Sequence, residues 1–270
     1  MKTYIVAGSS GYLGDALAKE MLADGHFILG IDQSPSDLSG KHANYLHVNA
    51  DLTSEKDSIT IREKISDSSL TFEGCVNAIT YQDSNYLPPE YQKIKTDSFS
   101  NSDEIRKAIR ASFEKYDVQL FRNMLEVNII ASHLLTRTIL PFIIDSPNFS
   151  YVNICSQYAV KSPDQDLFKN LEYFNYKPPG YSVSKAGLLS YTYYLAEMFR
   201  GTNVRVNAIS PGGIFAGQSE NFTKAYADGT FSGRMANLED IISPIKFLLS
   251  SDSSYMNGTN LVVDGGWTQK

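Results

Sequence analysis

Short β-prone runs alternate with helical stretches from one end of this 270-residue chain to the other, and that alternation restricts the fold more than any other feature. Tyr4-Ile5-Val6-Ala7 is an apolar run that stops at a glycine. Ala16, Leu17 and Met21 then give Asp15–Leu22 a helical apolar face, and Gly25 ends it. Further strand-like runs follow at Phe27–Ile31, Tyr45–Val48, Cys75–Ala78, Tyr151–Ile154, Val204–Ile209 and Asn260–Val263. Helical patterns cover Thr60–Ile65 and a long apolar stretch, Val118–Leu140. Parallel strands need crossover helices, so the pattern predicts an α/β fold, a Rossmann-type doubly wound parallel sheet. Ligands on such sheets bind outside the carboxyl ends of the strands, which singles out the residues just after each strand. No Pro/Gly/Ser-rich linker divides the chain, and 42% of it is hydrophobic, so residues 1–270 read as a single domain.

The net charge of −6 comes without any basic run, which argues against nucleic acid or an anionic membrane as the partner. No apolar stretch approaches the roughly 20 residues needed to span a bilayer. The glycine-rich stretch begins too soon after Met1 for a secretory signal, so a cytoplasmic protein is expected. Cys75 and Cys155 both lie in apolar strand-like runs and read as packing residues. Neither a disulfide nor a metal site is expected.

Directly after the first strand comes Gly8-Ser9-Ser10-Gly11-Tyr12-Leu13-Gly14, which opens into a helix. Glycines there allow a tight turn and let backbone amides approach a pyrophosphate at the positive helix end. Asp32 closes the second strand about twenty residues on, where a carboxylate accepts from a ribose 2′-OH and repels a 2′-phosphate. With Gln33 next to it and no Lys or Arg in the turn, NAD is favoured over NADP. Asp51-Leu52 follows the third strand, beside the expected adenine, although Asp-Leu-Thr is also an ordinary helix cap.

Tyr181 and Lys185 are four residues apart at the start of an apolar helix, so they share one face. A phenol with a pKa of about 10 is a poor base near neutrality, and a neighbouring ammonium favours its ionised form. Tyr173 and Lys177 repeat the spacing, but Pro178-Pro179 breaks any helix there, so position selects Tyr181 and Lys185. Ser156 ends the strand Tyr151–Cys155, where its hydroxyl is placed to bond a substrate oxygen. Asn128 sits among Leu125, Val127, Ile129 and Ile130, so its amide is either a structural hydrogen-bonding group or part of a proton relay.

The ordered set Gly8/Gly11/Gly14, Asp32, Asp51, Asn77-Ala78, Asn128, Ser156, Tyr181-x-x-x-Lys185, Pro211-Gly212 and Asp264-Gly265-Gly266 resembles the classical-type short-chain dehydrogenase/reductase family over essentially the whole chain. The resemblance implies a catalytic set of Asn128, Ser156, Tyr181 and Lys185. Tyr181 would be the general acid or base, and Ser156 would polarise the carbonyl. Lys185 would bind the nicotinamide ribose and lower the tyrosine pKa, while Asn128 would hold a relay water. The cofactor would rest on Gly8, Ser10, Gly11, Tyr12, Leu13, Gly14, Asp32, Asp51, Leu52, Asn77, Ala78, Pro211, Gly212 and Ile214, besides Tyr181 and Lys185.

Two departures stand out. The glycine spacing is Gly-x-x-Gly-x-x-Gly, similar to the extended branch of epimerases and dehydratases, yet too little chain follows Lys185 for that branch's added substrate domain. Val76-Asn77-Ala78-Ile79 replaces the usual Asn-Asn-Ala-Gly. Two segments are long, Tyr81–Tyr116 and Lys161–Pro179. With Tyr158 just ahead of it, the second brings Phe168, Tyr173, Phe174, Tyr176, Lys161, Lys169 and Lys177 towards the substrate mouth, a mixture that suits a sugar or an anionic group or, equally, a loop that packs its own aromatics. The run Ser210–Gln218 and Asp264–Thr268 looks similar to oxidoreductases of surface-glycan and nonulosonic-acid sugar pathways. The expected activity is therefore NAD(H)-dependent interconversion of a secondary alcohol and a ketone on a small sugar-like or other polar substrate. The alternatives are an epimerase or dehydratase that recycles NAD internally, and a non-catalytic NAD-binding protein. Leu188, Leu189, Tyr191, Tyr194, Leu195 and Phe199 exceed one apolar stripe on the helix Ser184–Arg200; the resemblance, in which the corresponding helix packs against its symmetry mate, implies a homodimer or homotetramer, and core packing within one chain is the alternative.

Overall fold

The computed structural model describes residues 1–68, 70–82 and 87–270. Seven strands form one all-parallel sheet: β1 (Thr3–Ala7), β2 (Phe27–Asp32), β3 (Tyr45–Asn49), β4 (Gly74–Asn77), β5 (Phe149–Ile154), β6 (Val204–Pro211) and β7 (Asn260–Val263). Their order is β3-β2-β1-β4-β5-β6-β7, so the chain reverses its winding between β1 and β4. That switch point opens a crevice at the carboxyl edge of the sheet. Every strand expected from the sequence is present; β4 ends at Asn77, leaving Ala78 in the loop.

The sheet is buried on both faces because strand residues alternate between two apolar layers. Ile5 and Ala7 of β1, with Leu29 and Ile31 of β2, join one cluster that includes Ile61 and Ile65 of α2 (Glu55–Ser68) and Leu135 and Ile139 of α5 (Ala131–Ile143). Tyr4 and Val6 point the other way, with Leu17 and Met21 of α1 (Tyr12–Ala23) and Ile241 and Ile245 of α8 (Leu238–Leu249).

The expected helix over Val118–Leu140 is three pieces in one run: α4 (Val118–Leu125), a π-helical turn (Glu126–Ile130) and α5. It continues past Pro141 to Ile143. Proline cannot donate to the carbonyl four residues back. That carbonyl, on Arg137, accepts instead from Arg62 Nη2 at 3.0 Å.

Three helices escaped the sequence pattern: α3 (Ser102–Glu114), α7 (Glu220–Asp228) and α8. The two long segments also fold on each other. Thr96 N–H donates to Glu172 O and Phe174 N–H to Ile94 O, at 3.0 and 2.8 Å. Phe174 and Tyr176 then pack with Leu87, Ile105 and Ala108 in a separate cluster. They form a small core instead of a substrate wall. Positions 83–86 of the Tyr81–Tyr116 segment lie outside the described residues.

Candidate active site

The turn after β1 is built by steric exclusion. Gly8 adopts φ +80°, and a Cβ there would lie 2.8 Å from the Ala78 carbonyl carbon. A Cβ on Gly14 would meet Gly8 O at 2.0 Å, so glycine at 14 lets α1 pack onto the turn. Gly11 differs: its nearest neighbour would be 3.4 Å away, an ordinary contact. Nothing within the protein requires glycine there, but Gly11 lines the crevice and stands at the N-terminus of α1, with no side chain capping it. The α1 end is therefore bare on the side where an anion gains most from the helix dipole. Ser10 serves the turn itself: its N–H donates to Asp32 Oδ2 at 3.0 Å and its hydroxyl to Ser34 O.

Two cavities meet at Gly11, Ala78 and Thr80. The smaller, about 210 Å³, is lined by Gly8, Asp32, Gln33, Ala50, Asp51, Leu52 and Thr53 among others. Asp32 accepts from Ser10 N and Ser34 N at 3.0 and 2.8 Å, which holds its carboxylate at the cavity wall. Asp51 receives the Thr53 N–H and hydroxyl at 2.9 and 2.7 Å, an Asx turn, while the Ser54 hydroxyl accepts the Asp57 N–H at the start of α2. The sequence expectation of a helix cap thus moves from Asp51 to Ser54.

The larger cavity, about 380 Å³, contains Tyr12, Leu13, Gly14, Ser156, Tyr181, Lys185, Pro211, Gly212 and Ile214. Tyr181 and Lys185 project from α6 (Pro179–Met198), which starts at the two prolines, as the sequence required. Lys185 is buried, with Nζ donating to Ile154 O at 2.9 Å and Ile79 O at 3.5 Å. Burial pushes it down to about 8. The Ser156 hydroxyl oxygen accepts the Tyr158 N–H at 3.1 Å, which leaves its own proton to donate. Burial raises the Tyr181 phenol above its ordinary value, with a hydrogen bond from Ser156 opposing the rise. The phenol is thus held protonated at neutral pH.

Asn77 and Asn128 stand apart from this set. Asn77, placed by the sequence at the cofactor, is fully buried, and its amide donates to Ser132 Oγ and Asn153 Oδ1 at 2.9 and 2.8 Å. It ties β4 to β5 beneath the crevice. Of the pair, Ala78, in the loop just past β4, reaches the cavity wall. Asn128 lies in the π-helical turn, a distortion frequent at functional sites. Its Oδ1 accepts the Tyr81 N–H at 2.6 Å, and its Nδ2 donates to Tyr81 O and Ser184 Oγ at 3.0 and 2.8 Å. These bonds hold the loop after β4 against α6.

Several wall residues lacked a sequence signal. Tyr226 of α7 accepts the Gly213 N–H and donates to Gln157 Oε1 at 2.9 Å. Phe222, Met235 and Gln218 also line the cavity, with Tyr158 and Phe168, and Phe168 packs against Phe222. Their positions depend on α7, which no pattern announced. Lys177, excluded with Tyr173 as the wrong Tyr–Lys pair, also enters the cavity. Tyr173 itself remains 46% exposed. Cys75 and Cys155 are buried and unpaired, and burial raises both thiols, Cys155 to about 12. Among the described residues, no helix is long and apolar enough to cross a membrane.

Known proteins are similar to this chain in sequence and fold. The family model described as enoyl-(acyl carrier protein) reductase matches residues 6–268. The chain is 28% identical over 269 residues to post-translational flagellin modification protein A of Campylobacter coli, covering 98% of each protein. A short chain dehydrogenase from Leptospira borgpetersenii, solved with bound NAD+, superposes with a TM-score of 0.81 at 27% identity, over 99% of this chain and 92% of that one. The aldohexose dehydrogenase of Thermoplasma acidophilum shares the fold, with a TM-score of 0.73 at 21% identity over 100% and 94% of the two chains. With the family match extending across nearly its full length, the chain belongs to the short-chain dehydrogenase/reductase family.

Proposed function

We propose that the protein is an NAD(H)-dependent oxidoreductase that interconverts a secondary alcohol and a ketone on a small polar substrate, with Tyr181 as general acid and base. The observation that carries this reading is the meeting of Ser156, Tyr181 and Lys185 at one end of a crevice whose other end presents Asp32. A dinucleotide fits that groove: the diphosphate belongs at Gly11, Tyr12 and Leu13, and the adenosine ribose at Asp32. The adenine side has Asp51 and Leu52, and the nicotinamide side has Pro211, Gly212 and Ile214. The Asp32 carboxylate favours NAD over NADP because it repels a 2′-phosphate. When bound, the nicotinamide exchanges a hydride with the substrate carbon.

The chain's own groups then manage the oxygen and its proton. In reduction, Ser156 Oγ–H and Tyr181 Oη–H both donate to the carbonyl oxygen, and the phenol gives up its proton as the alkoxide forms. Such positioned proton transfer contributes about 10²–10⁴-fold in rate. Two N–H bonds of Lys185 are directed at Ile79 O and Ile154 O, and the third can reach a ribose hydroxyl in the cavity it lines. Its positive charge favours the phenolate left on Tyr181. In oxidation the same atoms run in reverse. The flagellin-modification relative and the aromatic wall of Tyr158, Phe168 and Phe222 support a sugar-like substrate.

Tyr181→Phe should abolish turnover across hydroxy and keto sugars while NADH affinity is kept. Turnover that survives in that variant would refute the assignment. Tight NADH binding with no net cofactor turnover would favour internal recycling, the chemistry of epimerases and dehydratases. The exposed apolar residues Val183, Tyr194 and Met198 on α6 support self-association as a homodimer or homotetramer. Light scattering that shows only monomer at micromolar concentration would exclude it.

A further inference from the structure

A second ammonium group stands at the reacting end of the crevice, and the reaction above does not use it. Lys177 Nζ lies 4.1 Å from the ring centroid of Tyr181 and 5.5 Å from that of Tyr158. Its backbone is clamped at both polar atoms: its N–H donates to Gln165 Oε1 at 2.8 Å, and its carbonyl accepts from Gln165 Nε2 at 3.0 Å. Pro178 follows and restricts the backbone of Lys177 further. The ammonium donates to Gln82 Oε1 and is otherwise surrounded by aromatic faces.

Among the described residues no Asp or Glu lines the cavity, and neither Lys177 nor Lys185 forms an ion pair. Desolvation, with the charge of Lys185 adding to it, pushes Lys177 down to about 8. A desolvated cation without a counter-ion is unfavourable, and an arriving anion relieves that cost. The other two lysines of the segment are placed differently. Lys161 is tied to the carbonyls of Thr268 and Lys270, and Lys169 is exposed beside another cavity.

We infer that Lys177 is a specificity-determining anchor for a carboxylate on the substrate, which makes the substrate pair a hydroxy acid and its keto acid. The inference rests on the dehydrogenase reading of Tyr181. In the oxidative direction the carbinol carbon would lose a hydride to NAD+ and the hydroxyl its proton to the phenolate form of Tyr181. A keto acid and NADH result, and the carboxylate is unchanged against Lys177. The reacting carbon is presented to Tyr181 because the anchor lies over that ring.

The test uses the NADH-loaded protein and a set of small carboxylates (acetate, malonate, succinate and glutarate) against their neutral amides, read by NADH fluorescence. At least one carboxylate should bind the wild type about tenfold or more tightly than its amide. Lys177→Met should remove that preference, Lys177→Arg should retain most of it, and NADH affinity should change by less than about twofold in either. A preference that is absent from the wild type, or that persists in Lys177→Met, overturns the anchor alone. A wild type that does not bind NADH overturns the dehydrogenase reading and this inference with it.

Discussion

Lys185 makes the burial of the site measurable without any substrate. Its ammonium is enclosed, held only by two backbone carbonyls, and pushed down to about 8 from 10.5. In the unfolded chain it remains protonated until its ordinary value. Between those two values the unfolded state binds more protons than the folded one, so stability rises with pH in that window. Integrated from about pH 7.5 to about pH 9.5, the difference contributes about 2 kcal/mol of added stability at the higher pH. Tyr181 shifts in the opposite sense, since its raised phenol lowers stability only above the ordinary tyrosine value of 10.0. The chosen window lies below that value. Urea unfolding of the cofactor-free wild type and of Lys185→Met, at both pH values, isolates the effect. The wild type should gain about 2 kcal/mol over the variant on going to the higher pH. Equal pH dependence of the two proteins would refute the claim that this ammonium is desolvated and uncompensated.

Gly11→Ala should fold normally, with a midpoint within about 1 kcal/mol of wild type, yet lose most NADH affinity, because only an incoming diphosphate meets the new methyl. Gly14→Ala should lose both stability and binding by thermal melt and NADH titration, since its methyl meets Gly8 O inside the protein. Asp32→Ala should reduce the preference for NAD over NADP by about tenfold or more in steady-state kinetics, and destabilise the turn by about 1–3 kcal/mol through loss of the Ser10 and Ser34 amide bonds. Asn128→Ala should cost about 2–4 kcal/mol in denaturant unfolding, because it removes buried partners of the Tyr81 backbone and of Ser184. A near-neutral Asn128→Ala would show that its amide does not hold the loop after β4.

Lys177 shows where sequence reasoning stops. The prolines after it correctly denied it a place on α6; its segment was expected at the substrate mouth, but no local pattern aimed its side chain into the site. The lysine nevertheless reaches the cavity, because Gln165, twelve residues earlier, turns its backbone towards Tyr181. Its former companion Tyr173 pairs with Lys95 on the far side of the segment. The amide of Asn77, set by the sequence at the cofactor, is spent on Ser132 and Asn153, bonds that no local pattern announced. α8 packs an apolar face against the sheet and still escaped, with Pro244 interrupting its pattern.

The sequence by itself determined the winding of the sheet, the glycine turn at the switch point and the helical pairing of Tyr181 with Lys185. Each is a local property: a period of two or 3.6 residues, a glycine where a Cβ collides, a four-residue spacing on one helix face. Tertiary structure alone decided which polar groups face the crevice and which hold the frame. The side chains of Asn128 and Asn77 became ties, and Lys177 and Tyr226 became walls. Those outcomes depend on contacts between elements distant in the chain, set by packing and by the need to satisfy every buried polar atom, and no local pattern encodes them.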